Sequence, residues 1–184
     1  MRICVLLLSL ILPLAAPSAV ADAPPEQPVD KLFAQLHSAQ TAEEAKPLEA
    51  QILASFLRSG SPSVDLLMGR ADAALAAGQK PVARHLLDEV TVLAPSFAEG
   101  WHHRALMQQE AGEDGAAMVS LQKVVDLNPR QFEALFQLGE MLEDYGDKAG
   151  ALKTYRRVLA LDPQLEGLQR HIDGLSRAVE GQGI

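Results

Sequence analysis

The chain is poor in the residue on which covalent cross-linking depends. Its single cysteine, Cys4, lies at the extreme N-terminus. No intrachain disulfide can form, so stability has to come from packing. Basic residues are in deficit, with 16 Lys and Arg against 24 Asp and Glu and a net charge of −8. Nucleic acid and anionic membrane surfaces both demand a basic patch that displaces counterions, and this balance argues against either as a partner. Aromatic residues make up only 4% of the chain, which together with abundant Ala and Leu favours helix over strand. From Asp30 onward no stretch alternates apolar and polar as a half-buried strand would, whereas apolar residues recur at spacings of three and four. Catalytic patterns are missing too: there is no G-x-S-x-G elbow, no G-x-x-x-x-G-K phosphate loop, no HExxH helix and no EF-hand loop. A protein that is not an enzyme and carries no cofactor is expected.

What is present begins with MRICVLLLSLILPLAAPSAVA, residues 1–21, with one basic residue, an apolar middle and an Ala19-x-Ala21 finish. This predicts an export signal cleaved after Ala21; an uncleaved anchor is the alternative. Cys4 sits too far ahead of that point to become the lipid-bearing first residue of a mature lipoprotein. Removing 21 of the 184 residues leaves 163, enough for one sizeable core, and losing Arg2 takes the net charge from −8 to −9. The periplasm is the expected location if the source is bacterial. Residues 22–29, DAPPEQPV, carry three prolines and no apolar period, as a flexible leader would.

The rest of the chain repeats itself. Pro95, Pro129 and Pro163 lie 34 residues apart, as do Gly78, Gly112 and Gly146. The same period carries Ala71, Ala105 and Gly139, then Ala83, Ala117 and Ala151, then Leu87, Leu121 and Tyr155, then Val90, Val124 and Val158, and finally Leu93, Leu127 and Leu161. Three units follow, 64–97, 98–131 and 132–165, each divided at its glycine into two amphipathic helices. Glycine suits the left-handed position that ends the first helix, and the later proline cannot continue the second. Ser96 and Glu99 have the spacing of a capping box for the second unit. No such hairpin buries its apolar face alone, so the units must stack into a solenoid. Residues 30–63 suggest an N-terminal helical cap or degenerate repeat, with a Thr41/Glu44 capping box, Pro47 bending or delaying the second helix, and Leu48, Ile52, Leu53, Phe56 and Leu57 facing inward. Residues 166–184 suggest a C-terminal capping helix and tail with Leu168, Ile172 and Leu175 on one stripe.

At these positions the chain resembles the tetratricopeptide repeat family. The third unit carries the resemblance through Leu138, Gly139, Ala151, Tyr155 and Pro163, the second through Trp101, Ala105, Ala117, Leu121 and Pro129, and the first, less fully, through Ala71, Ala83, Leu87 and Pro95. The resemblance implies an all-α, right-handed α-solenoid of helix-turn-helix repeats. It also implies a concave groove, lined by the first helix of each unit, that holds a segment of another protein. The family's second, fifth, ninth, twelfth and thirteenth positions correspond here to Asp65, Met68, Asp72, Leu75 and Ala76, to Glu99, His102, Leu106, Gln109 and Glu110, and to Glu133, Phe136, Glu140, Glu143 and Asp144. Acids dominate this set and no Lys or Arg belongs to it, so a cationic partner segment is expected, with Met68, Leu106 and Phe136 as apolar anchors. First-turn acids also suit a helix dipole whether or not a ligand binds.

Three features remain. Trp101 takes the family's packing slot. His102 and His103 are adjacent, about 100° apart around a helix, whereas two ligands of one metal need a spacing of three or four; no metal is expected, and His102 is counted with the groove. Arg70 and Arg104 stand where the third unit has Leu138, so each guanidinium needs an ionic partner inside the fold or on a ligand. Together these features predict an exported, non-catalytic adaptor of the cell envelope; a permanent structural or assembly subunit of a larger envelope complex is the alternative.

Overall fold

A computed structural model describes residues 28–181 of the chain; the expected signal, and the leader up to residue 27, lie outside the described residues. Nine helices and no strand occur among them: α1 Pro28–Ser38, α2 Ala42–Phe56, α3 Pro62–Ala76, α4 Lys80–Leu93, α5 Ala98–Glu110, α6 Asp114–Leu127, α7 Phe132–Asp144, α8 Lys148–Leu161 and α9 Leu168–Glu180. Helices α3/α4, α5/α6 and α7/α8 form three hairpins, and α4 packs on α5, α6 on α7 and α8 on α9. The result is the all-α repeat solenoid that the 34-residue period predicts.

The turns inside the hairpins show why that period exists. Gly78, Gly112 and Gly146 adopt φ of +70°, +72° and +85°. At the first of them the Gly78 N–H donates to the Leu75 carbonyl (2.9 Å) and the Gln79 N–H to the Ala74 carbonyl (2.8 Å), and the same pair of bonds recurs at Gly112 and Gly146. These satisfy carbonyls that the helix end leaves open. A Cβ at Gly112 would meet nothing within 4 Å, so the constraint is conformational. Gly112→Ala is therefore expected to cost about 1–2 kcal/mol. Gly115→Ala, in helix α6 with equal open space, should instead stabilise by about 0.5–1 kcal/mol. Paired urea titrations distinguish the two signs. The other break works through proline: Ala94, Asn128 and Asp162, each preceding one, have φ of −131°, −132° and −132°, away from the helical region, as the following ring requires.

Small residues mark the helix crossings. Ala71, Ala105, Ala83, Ala117 and Ala151 are fully buried, and a Cβ on Gly139 would fall 2.6 Å from the Tyr155 ring. Leu87, Leu121 and Tyr155, with Val90, Val124 and Val158, fill the space between helices. The register of Leu93 departs from this, since Leu93 is 64% exposed while Leu127 and Leu161 are partly buried. Two expected local details also differ. Helix α5 starts after Phe97, with no side-chain cap, because Glu99 turns into the core; the Ser96/Glu99 box does not form. Thr41 does accept from the Glu44 N–H (3.2 Å), but the Glu44 carboxylate takes the N–H of Gln40 (2.8 Å). Pro47 lies within α2, which begins at Ala42 without delay.

The largest departure concerns α1 and α2, which the sequence places ahead of the first unit. They do not extend the stack from α3. Phe33, Leu36, Ala39, Ala45 and Ile52 share one core with units two and three and α9, whereas Val64, Met68, Ala71 and Leu87 of unit one form a second core closed by Phe97 and Met107. Helix α1 packs on α8. Arg130 of the turn before α7 pairs with Asp30 (2.8 Å) and lies 4.5 Å over the Phe33 ring, and Gln164 of the turn after α8 donates to the Ala39 carbonyl (3.0 Å). Leu57, expected to face inward, is 49% exposed, at the C-cap just past the end of α2.

Candidate partner-binding groove

The first helices of units two and three, α5 and α7, present their concave side to α2. Between them lies a cavity of about 530 Å³ whose wall includes Leu53 and Glu49 of α2, Leu106 of α5, and Phe132 and Phe136 of α7. Beyond Phe136 it gives way to a second, more polar cleft of about 720 Å³ lined by Glu140, Glu143, Asp144, Tyr155 and His171. Phe136 borders both. No helix of the described residues is long and apolar enough to cross a membrane.

Of the fifteen expected groove positions, Leu106, Phe136, Glu140, Glu143 and Asp144 come together here, with Gln109 and Glu133 on the same walls. Leu106, 41% exposed, faces the cavity, while Phe136 and Glu140 border both spaces and Glu143 and Asp144 line the cleft. Met68, His102, Asp65, Asp72 and Glu110 are placed differently. Met68 is only 5% exposed and packs in the core of unit one; among the small Ala71, Ala74 and Ala83 a long thioether fills the gap and cannot anchor a ligand. His102 is 3% exposed, held inside the cavity wall by polar neighbours. Asp65 accepts from the Ser59 backbone N–H (2.9 Å) and hydroxyl (2.5 Å), which lowers its pKa and fixes the loop ahead of α3. Asp72 meets His103 (3.3 Å) and Glu110 meets Lys80 (2.5 Å), so both tie neighbouring units together.

The cleft is electrostatically tense. Glu140 has a raised pKa, first because burial disfavours its charge and then because Asp144 and Glu143 stand close by. Burial likewise raises Glu133 at the cavity wall. His171 offsets part of this charge, meeting Glu143 at 2.6 Å, while the Tyr155 hydroxyl donates to the same carboxylate (3.3 Å). Burial and these acids push the Tyr155 phenol well above its usual range. His171 escaped the groove pattern because it belongs to α9, outside the repeats; Glu49 and Leu53 escaped it because nothing in the period brings α2 across α5 and α7.

The paired histidines serve the fold. Their rings sit 6.4 Å apart at 78° and turn to different partners. His102 lies within 3.3 Å of Glu99, 3.1 Å of Gln131 and 3.2 Å of Gln137, and Gln131 also donates to Glu99 (3.0 Å). Trp101 donates from Nε1 to the Pro95 carbonyl (3.0 Å). Arg104 finds the ionic partner it needs in Asp88 of α4 (2.8 Å), with its guanidinium 5.4 Å over the Trp101 ring. It therefore bridges units one and two, while Arg70 is exposed.

Comparison with known proteins agrees with this architecture. The tetratricopeptide repeat family model matches residues 132–165. A TPR repeat-containing protein of Rhizobium etli is 30% identical over 161 residues, which is 88% of this chain and 79% of that protein. Among solved structures, MamA aligns over 85% of this chain and 86% of its own at 20% identity, with a TM-score of 0.57. The Yersinia enterocolitica type III secretion chaperone SycD, solved with a peptide of the translocator YopD, aligns over 67% of this chain and 97% of its own at 16% identity, with a TM-score of 0.56. The structural likenesses bear on fold, and the Rhizobium protein, similar over nearly the whole chain, extends the relationship beyond it: the chain belongs to the tetratricopeptide repeat family.

Proposed function

We propose that this chain is a non-catalytic protein-interaction module of the cell envelope, which seats a cationic segment of a partner protein against the face formed by α5, α7 and α9. The observation that carries this is the pairing of an apolar wall with an acidic floor. Leu106 and Phe136 border the space, and Glu140, Glu143, Asp144 and Glu166 gather at one end of it. A lysine or arginine brought there would offset the burial and then the repulsion from Asp144 and Glu143 that hold the Glu140 pKa up, while the aliphatic stem packed on Phe136. Membership of a repeat family with a structural neighbour solved around a peptide supports the same function. Export rests on residues 1–21, with cleavage after Ala21 and a periplasmic location in a bacterium.

The test is capture from envelope extract by the wild-type chain and by Glu140→Lys/Glu143→Lys/Asp144→Lys, with circular dichroism to confirm that both are folded. A partner retained by the wild type should bind the reversed variant about 100-fold more weakly, since like charges brought face to face cost several kcal/mol. Equal retention of that protein by both forms would place its binding site on another face.

A further inference from the structure

The groove just described is partly covered by the chain itself. Helix α2 lies over α5 and α7, yet the cavity of about 530 Å³ separates it from their side chains, so it spans the groove without filling it. Ala45 and Ile52 anchor it in the shared core, and α1, which precedes it, is fixed through Arg130 and Gln164. Next to these, Asp162 is fully buried. Its Oδ1 accepts from the Gln164 N–H (3.1 Å), and no N–H or neutral hydroxyl of the described residues donates to its Oδ2. The group set against Asp162 is the carboxyl of Glu49, on α2 at the cavity wall, and each carboxyl acts on the other. Two carboxyl groups can bond only if one keeps its proton. A protonated Glu49 donates its O–H to Asp162 and supplies the buried oxygen with the donor it lacks.

We infer that α2 is a strap across the groove, latched by the proton that Glu49 shares with Asp162, and that loss of this proton frees the strap and widens the groove. The charges acting on Glu49 leave it little alternative. Lys46 on its own helix favours ionisation, but Glu133 from α7 and Asp162 from the turn after α8 oppose it, and Glu140, Glu166 and His102 border the same cavity. Burial, then the Asp162 charge, push the Glu49 pKa from its ordinary 4.5 to about 7, and burial raises Asp162 as well. The latched form holds its proton more tightly than the released form. Latching is therefore complete below about pH 4.5, weakens as pH climbs towards 7, and stays at its weakest above that.

The consequence for binding rests on the function proposed above, but the motion itself can be read without any partner. Hydrogen exchange along α2, residues 42–56, is followed in the full chain at pH 5.5 and pH 8 and divided by the intrinsic rate at each pH. Wild-type protection should fall about tenfold between the two, a value that allows for partial exposure of Glu49. In Glu49→Gln the amide donates at every pH, so protection of α2 should be high and flat while α5–α8 exchange as in the wild type. Asp162→Asn gives a second route to the same flattening. Asn128 already fills the equivalent place one unit earlier, its Oδ1 accepting from the Arg130 N–H (3.2 Å), so that turn tolerates asparagine. Wild-type protection that does not change with pH, or a slope that survives in both variants, overturns the latch and leaves the groove proposal standing.

Discussion

Tyr155→Ala is expected to lower the unfolding free energy by about 3–5 kcal/mol, the range found when a large buried aromatic is cut to alanine. Tyr155 is 2% exposed and joins α8 to both α7 and α9. Its ring covers Gly139 of α7, stands 5.6 Å from Phe136, and receives His171 of α9 edge-on at 5.1 Å and 86°. Truncation leaves a void between helices whose close approach depends on a glycine, so neither side can supply atoms to fill it. Leu87 and Leu121 occupy the same register in the other units, and Tyr155→Leu should recover much of the loss. Guanidinium unfolding followed by circular dichroism measures both. A loss below about 1 kcal/mol for alanine would mean that the third unit is looser than this packing requires.

Gln131→Ala should cost about 2–4 kcal/mol, although the residue is uncharged. Gln131 is fully buried; its Oε1 accepts from the Ala134 N–H and so caps α7, while its Nε2 donates to Glu99 (3.0 Å) and lies 3.1 Å from His102. Removing it uncaps one helix and deprives the buried carboxylate of Glu99, itself 4% exposed, of a donor. Gln131→Glu tests the source of the loss: it keeps the cap but sets a second acid beside Glu99, and thermal melting should show it to be no better than alanine.

The repeated part of the fold was legible because its constraints recur. A glycine forced to positive φ, an alanine at a crossing and a proline after a helix each appear three times at one spacing, and each has a steric cause that the structure reproduces. The groove was legible only in part. Leu106, Phe136, Glu140, Glu143 and Asp144 lie along one face because helical geometry alone puts them there. Met68 and His102 sit at equivalent positions yet are buried, because what covers a position depends on neighbours that no period encodes. For Met68 these are the small residues of its own unit. For His102 they are Glu99, Gln131 and Gln137. The docking of α1 and α2 rests on contacts such as Asp30 with Arg130 and Ala39 with Gln164. Each occurs once, between segments far apart in the chain, and leaves no pattern to read.

Those same contacts bear on how the molecule is made. Most stacked-repeat proteins form order between neighbours and can assemble as they emerge. Here the helices synthesised first must wait for a surface completed only when residues near 164 have appeared, because Gln164 holds Ala39 across a sequence separation of 125. The earliest segment is thus the last to find its place, and until it does Phe33 has the Phe56 ring of α2 at 6.3 Å but lacks the Arg130 guanidinium that lies over it. Under the export proposed above, that cover would be missing for as long as the C-terminal turns had still to arrive.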